Sequence, residues 1–340
     1  MNDKEMARLL ESATQNSTVF QAFEKSIAIL KDVEDAYVSV SGGADSDIVV
    51  DMCSRISDNL IYVWFDTGME YQATKNHLKY LEEKYGIKIQ RIKAKEPVPL
   101  AVRHYGYPFL SKLVSIYTGR LQKHGYMFDD RPYEELAKEY PNCISALRWW
   151  CNEWGEKSSF NIKRWKYLKE FMIESPPDFP ISDGCCFGAK KSTAHDFAVE
   201  WQMKLNIQGV RKAEGGKRTA IQSCFTEGNG KNGISTFRPI FWFKDDDKAF
   251  YEKTYDVRNS ECYWHYGLKR TGCVGCPFGR NWQFELEVVK NYEPKLYKLC
   301  NAVFGKSYDY TLRYFAYRKK KEEEAKGGYH QYNLFEKEGD

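Results

Sequence analysis

The sequence predicts an α/β fold: a parallel twisted sheet flanked by helices, with a mainly helical insertion and a helical C-terminal region. Three observations carry this expectation. Short apolar runs alternate with amphipathic stretches through the first quarter of the chain, the mark of βαβ units and a parallel sheet. A glycine turn, Ser41-Gly42-Gly43, stands directly between the first such run and the helix after it. The regular pattern then lapses between Lys93 and about Asp183, where Pro97, Pro99, Pro108, Pro132, Pro141, Pro176, Pro177 and Pro180 interrupt it, and resumes afterwards.

Taken in order, residues 3 to 35 read as helical, with Leu9, Leu10, Phe20, Phe23, Ile27 and Leu30 at helical spacing. Ala36 to Val40 is a buried strand, and a helix follows from about Asp47. A second strand fits Leu60 to Phe65, a helix Tyr71 to Tyr85 stopped by Gly86, and a third strand Ile87 to Ile92. The insertion is expected to hold one clear helix near Asn161 to Ile173. Beyond it come a helix near Lys190 to Gln202, strands near Leu205 to Val210 and Phe237 to Phe243, and helices near Asp245 to Asp256, Trp282 to Val303 and Tyr308 to Lys326. The implied division is an N-terminal helical segment (1–35), an α/β core (36–92 and 182–280), a helical insertion (93–181) and C-terminal helices (281–340).

Of 340 residues, 42% are hydrophobic, enough for a sizeable core, and 51 basic against 47 acidic residues give a net charge of only +4. That balance does not by itself call for nucleic acid. No run approaches the apolar length of a membrane helix, and the start MNDKEMARLL is charged and mixed rather than signal-like. The expectation is a cytoplasmic protein with no membrane partner. Ten cysteines in such a chain point to metal ligation or reactive thiols rather than a disulfide framework.

Three motifs carry chemistry. Ser41 to Ser46 (SGGADS) lies between a strand and a helix. Two glycines let the backbone approach a ligand, successive N–H groups form an anion cradle, and the helix N-terminus adds partial positive charge. Ser41 and Ser46 can donate to phosphate oxygens, while Asp45 either binds Mg²⁺ or orients the loop. Asp66-Thr67-Gly68-Met69-Glu70 lies at the carboxyl end of the second strand, the edge where open α/β sheets bind ligands. The cysteines Cys185-Cys186 and Cys273-x-x-Cys276 form two close pairs. A CxxC suits one metal centre or a redox pair. Adjacent cysteines chelate one zinc awkwardly and suit a cluster better. Zinc stays open as an alternative, with Cys262 as a rival ligand. Lys190, Lys191, Arg211, Lys212, Lys217 and Arg218 are placed to clamp an oxyanion, a task the planar guanidinium performs well. The Trp-rich stretch Arg148 to Trp154 reads as core, and Arg318 to Glu324 as a solvated helix face.

SGGADS resembles the PP-loop of the ATP pyrophosphatases, and the set of motifs resembles the phosphoadenosine phosphosulfate (PAPS) reductase branch of that superfamily. The DTG-x-E segment matches, as does Gly209-x-Arg211-x-x-Glu214 with Arg218 beyond, although Gly215 stands where the family has Ser. Arg238-Pro239-Ile240 with Trp242 and the turn Gly267 to Cys276 match in order and direction. The resemblance implies a 4Fe-4S cluster on Cys185, Cys186, Cys273 and Cys276, and nucleotide binding by Ser41, Gly42, Gly43, Asp45, Ser46, Asp66, Thr67, Gly68, Lys190 and Arg211. Asp45, Ser46, Arg211 and Arg218 would be the catalytic set.

Two departures shape the functional expectation. The reductases carry a nucleophilic cysteine near the C-terminus in a Glu-Cys-Gly-x-x-His context, and here no cysteine follows Cys300. The reductases also have a degraded phosphate loop, whereas SGGADS is intact. Both features bring the chain nearer to relatives grouped with the C component of the Dnd DNA-phosphorothioation system. The leading expectation is therefore an ATP-dependent, adenylating sulfur-transfer enzyme using ATP with Mg²⁺. A PAPS or adenosine-phosphosulfate reductase using another thiol is the first alternative, and a non-catalytic iron–sulfur regulator binding DNA or a partner is the second. Implied partners are an adenine nucleotide, a sulfur donor protein or thiol reductant, and nucleic acid as a modification substrate.

Overall fold

The computed structural model describes residues 3–31, 33–229 and 233–335. The chain forms two compact units: Met1–Val98, Gly188–Val274 and Glu285–Leu296 make the first, and Pro99–Phe187, Gly275–Phe284 and Tyr297–Asp340 the second.

The first unit is built on strands β1 (Ala36–Val40), β2 (Ile61–Asp66), β3 (Ile89–Lys93), β4 (Leu205–Gln208), β5 (Phe225–Thr226) and β6 (Ser235–Phe237). They lie in the order β3-β2-β1-β4-β6-β5. Every neighbouring pair is parallel except β5 and β6, so the expected parallel sheet gains an antiparallel edge. Tyr37 of β1 stands beside Ile61 on one side and Asn206 on the other. The chain thus leaves β1 in one direction for β2 and β3 and returns on its other side as β4. That reversal is the switch point at which open α/β sheets form their ligand crevice.

Helices α1 (Asp3–Ala13), α2 (Ser17–Leu30), α3 (Ala44–Ile56) and α4 (Gln72–Tyr85) belong to this unit. The single helical region expected over residues 3 to 35 is two helices. Asn16 separates them because its side chain accepts the Val19 N–H and caps α2. Phe23, Ile27 and Leu30 face a core that includes Val38, Val40, Ile48 and Val49. Gly86 ends α4 with φ of 62°, the left-handed cap that glycine adopts without a Cβ penalty. Buried within α3, Asp51 accepts both arms of the Arg55 guanidinium, at 2.8 and 2.9 Å, and the Tyr251 hydroxyl at 2.8 Å. This pairing lets a carboxylate sit at 0% exposure.

Two sequence expectations are corrected here. Only Phe237 of the segment Phe237–Phe243 is in a strand. Pro239 has no N–H to give a ladder, and Phe241 and Phe243 donate back to Arg238 and Ile240 in successive turns. The helix expected at Lys190 starts as a π-turn over Phe187–Ser192 and becomes α-helical only over Thr193–Glu200.

The second unit is helical. Helices Lys112–Lys123, Tyr133–Glu139, Ile144–Trp150 and Leu168–Glu174 surround Phe109, Trp149, Trp150 and Phe171, with Tyr310 and Tyr314 of the long helix Pro294–Phe335 in the same core. The Trp-rich stretch is therefore core in its two tryptophans at 149 and 150, both 0% exposed. The helix expected over Asn161 to Ile173 is broken at Tyr167, whose φ is 60°. Arg318, Lys319 and Lys320 pair with Glu322, Glu323 and Glu324 one turn on, as a solvated face does. Among the described residues no helix is long and apolar enough to cross a membrane.

Candidate nucleotide site

The loop from Ser41 to Ser46 leaves the carboxyl end of β1 and enters α3. Gly42 has φ of 65°, and a Cβ there would meet Thr74 Cγ2 at 2.8 Å. Gly43 precedes the first turn of α3 without a side-chain cap. The loop's donors end on hydroxyls instead. The Ser41 N–H donates to Ser46 Oγ at 3.0 Å, the Gly43 N–H to Ser41 Oγ at 3.3 Å and the Ala44 N–H to the Tyr263 hydroxyl at 3.1 Å.

Strand β4 supports the loop from the other side of the switch point. A Cβ on Gly209 would lie 2.8 Å from the Asp45 carbonyl carbon and oxygen and from the Ser46 nitrogen. Only glycine lets the chain pass this close to the start of α3. Two residues on, Arg211 Nε donates to Asp45 Oδ2 at 2.9 Å, and Lys248 Nζ donates to Asp45 Oδ1 at 2.9 Å. Arg211 also reaches Asp245 at 2.9 Å. Burial works against the guanidinium's charge, but Asp45 and Asp245 outweigh it and hold the Arg211 pKa above its ordinary value. Both oxygens of Asp45 are thus engaged by cationic side chains. Arg218 does not join this group: its guanidinium pairs with Glu214 at 3.0 Å.

A cavity of about 290 Å³ opens beside the loop. Trp64 and Phe65 of β2 and Gln208 of β4 wall it, with Ser41, Lys190 and Glu70 on its lining. The segment after β2 is tightly self-bonded. Gly68, at φ of 82°, donates its N–H to Asp66 Oδ1 at 2.9 Å. Thr67 gives both its N–H, at 3.0 Å, and its hydroxyl to Glu70 Oε1. Glu70 Oε2 is buried with no hydrogen-bond partner in the structure, and burial pushes this carboxyl up. Asp66 goes the other way: burial raises it, but Arg91 and the Gly68 N–H outweigh burial and hold it below the ordinary value.

The four cysteines of the expected cluster are divided between the units, Cys273 in the first and Cys185, Cys186 and Cys276 in the second. Cys273 Sγ lies 3.7 Å from Thr67 Oγ1, and the Val274 N–H donates to Met69 O at 2.8 Å. The CxxC therefore starts against the Asp66–Glu70 segment. Cys262 is fully buried beside Thr74 Oγ1 at 3.6 Å, and burial raises its thiol pKa. Among the described residues no group of three or more His, Cys, Asp or Glu side chains is placed to hold a metal ion.

Lys248, Tyr263 and Thr271 were not legible as site residues. Lys248 comes from the helix Asp245–Thr254, Tyr263 from the single turn Glu261–Trp264, and neither lies in a motif. Gly209 was visible only as part of the Gly-x-Arg pattern.

A glycine loop with a side-chain-lined crevice at the switch point of a largely parallel sheet defines an α/β fold of the nucleotide-binding class. The chain belongs to the phosphoadenosine phosphosulfate reductase domain family, whose profile matches residues 35–278. An uncharacterized protein of Methanocaldococcus jannaschii is 23% identical over 279 residues, 82% of this chain. The chain spans about half the length of that relative, 50%. Among solved structures, the PAPS reductase of Candida auris in a phosphate complex is 13% identical, with a TM-score of 0.40, covering 80% of this chain and 96% of that one. The NH₃-dependent NAD synthetase of Campylobacter jejuni is 12% identical, with a TM-score of 0.34 and coverages of 86% and 96%. The U34-tRNA thiolase of Methanococcus maripaludis, with its 4Fe-4S cluster, is 13% identical, with a TM-score of 0.34 and coverages of 90% and 80%.

Proposed function

We propose that this chain binds ATP with its phosphates on the Ser41–Ser46 loop and splits it between the α and β phosphates, activating an acceptor for sulfur transfer. The observation that carries this reading is the intact loop at the end of β1, with Ser41 and Lys190 lining the same cavity. In the proposed step an acceptor oxygen attacks the α-phosphorus, a new P–O bond forms, and the α–β bridging bond breaks. Pyrophosphate leaves with the electron pair. Mg²⁺ on the phosphates would supply charge neutralisation.

The protein's own part is positioning and electrostatics. Gly42, Gly43 and Ser46 shape the cradle, while Asp66, Thr67 and Gly68 flank the nucleotide. Asp45 braces Arg211 and Lys248 beside the loop, and Asp245 and Glu252 balance them further, so they offer a departing anion oriented donors rather than a net positive charge. Arg218, half-exposed, is the outer contact for that anion or for the acceptor. A sulfur donor protein or thiol, and a nucleic-acid acceptor, complete the proposal.

The test is pyrophosphate release from ATP with Mg²⁺. The wild type should release it, and Ser46→Ala should abolish release with the fold intact by circular dichroism. The family match favours one second reading, a PAPS or adenosine-phosphosulfate reductase. It would be established by tight PAPS binding and sulfite formation without pyrophosphate release from ATP. Nucleotide binding with no turnover of either, together with salt-sensitive DNA binding, would identify a regulator instead. Iron and sulfide counts on anaerobically purified protein belong beside these assays. The resemblance implies a 4Fe-4S cluster on Cys185, Cys186, Cys273 and Cys276, and zinc or no metal would refute it.

A further inference from the structure

The N-terminal amides of a helix have no acceptor within the helix, so whatever they donate to is informative. At the start of α3 the Ala44 N–H donates to the Tyr263 hydroxyl at 3.1 Å, across 219 positions of sequence. Thr271 Oγ1, on the cavity wall, lies 3.5 Å from the same hydroxyl. A Cβ on Gly43 would lie 2.9 Å from Thr271 Oγ1 and 3.4 Å from the Tyr263 hydroxyl, so the glycine lets the loop sit close against the threonine beside the phenol.

The delivery of this hydroxyl is well braced. Tyr263 belongs to the turn Glu261–Trp264, whose cap Ser260 accepts the Cys262 N–H at 3.3 Å. Cys262 is fully buried, with its sulfur 3.6 Å from Thr74 Oγ1. A rotamer-limited ring on an anchored turn loses little freedom when it makes a contact.

We propose that Tyr263 is a phosphate-positioning residue of this site, the third hydroxyl of a cradle whose other two are Ser41 and Ser46. The proposal rests on the reading that the loop takes nucleotide phosphates. Each of the three hydroxyls accepts one loop amide. A hydroxyl that accepts an N–H keeps its own proton to donate, so each can pass a hydrogen bond on to an anion above the loop. A phenol with the ordinary tyrosine pKa of about 10 holds that proton at neutral pH. The ligand class is a polyphosphate oxyanion, pyrophosphate or the β,γ end of a nucleoside triphosphate.

Tyr263→Phe removes the hydroxyl and keeps the ring. Calorimetric titrations of wild type and variant with inorganic pyrophosphate, ATP·Mg²⁺ and adenosine test the idea. The expected result is a loss of about tenfold in affinity for pyrophosphate and ATP, about 1.4 kcal/mol, with adenosine binding unchanged within about twofold and an unchanged circular dichroism spectrum. A purely structural tyrosine would lower the melting temperature but would not separate pyrophosphate from adenosine. Equal pyrophosphate affinity in the two proteins overturns the proposal. A gain in affinity also overturns it, because the hydroxyl would then be competing with phosphate for the Ala44 amide. An equal loss for adenosine and pyrophosphate overturns it as well, as a general disturbance of the pocket. If the wild type binds neither ATP nor pyrophosphate, the nucleotide reading falls first and this proposal falls with it.

Discussion

Replacing Gly209 with alanine perturbs the loop without removing any side chain that could bind a ligand. The new methyl would lie 2.8 Å from three backbone atoms of Asp45 and Ser46, where ordinary contact begins at 3.4 Å. Strand end and loop must therefore part by at least 3.4 − 2.8 = 0.6 Å. The obstructing atoms are main chain at the first turn of α3, so no side chain can swing aside. Overpacking of this kind costs about 1–3 kcal/mol. At about 2–4 °C per kcal/mol for a unit of this size, the melting temperature should fall by about 2–12 °C. A displacement approaching 1 Å at reacting groups costs on the order of 100-fold in rate, so pyrophosphate release should drop by at least about tenfold. Thermal melting and a pyrophosphate-release assay measure the two effects. Gly305→Ala is the control. A Cβ there meets nothing within 4 Å, and the position is helical, so it should be neutral or stabilising by up to about 1 kcal/mol. An unchanged melting temperature and unchanged turnover in Gly209→Ala would refute the claim that β4 sets the loop's position.

Two further predictions follow from the charges. Lys248→Gln leaves Asp45 its Arg211 partner and should lower pyrophosphate release by on the order of tenfold, with Lys248→Arg retaining most of it. Equal release in Lys248→Gln and wild type would remove Lys248 from the site. Asp66 and Glu70 should show opposite pH behaviour in thermal melts. Asp66 is held below the ordinary carboxylate value, so its contribution is present above about pH 4 and lost as pH falls through its lowered pKa. Asp66→Asn should therefore be destabilised at pH 7, with the gap to wild type closing on acidification. Glu70 is raised, so its contribution is whole below the ordinary value and lost as pH rises through its raised pKa. Glu70→Gln should gain on the wild type towards neutral pH, and parallel pH curves for wild type and both variants would refute the assignments.

The sequence by itself determined the elements whose signal is local. Strands β1 to β4, the glycine loop between β1 and α3, and the stop at Gly86 follow from apolar runs and glycine chemistry within a few neighbours. The Asp66–Gly68 segment was legible for the same reason, since it belongs to the end of one strand. Where the signal was ambiguous, tertiary contacts decided. Phe237 to Phe243 is apolar enough for a strand, but turns that include Pro239 bury Ile240, Phe241 and Phe243 without a ladder. Asn161 to Ile173 has helical spacing, but a left-handed Tyr167 divides it. Arg211 and Asp45 were legible as charged site residues, but how the site's charges pair lay beyond the sequence. Asp45 meets Lys248 across 203 positions, and Ala44 meets Tyr263 across 219. No periodicity records such pairs, because they depend on which strand returns beside β1 and how closely a glycine lets it approach. Local chemistry thus placed the loop, and the reversal of strand order around β1 determined which residues surround it.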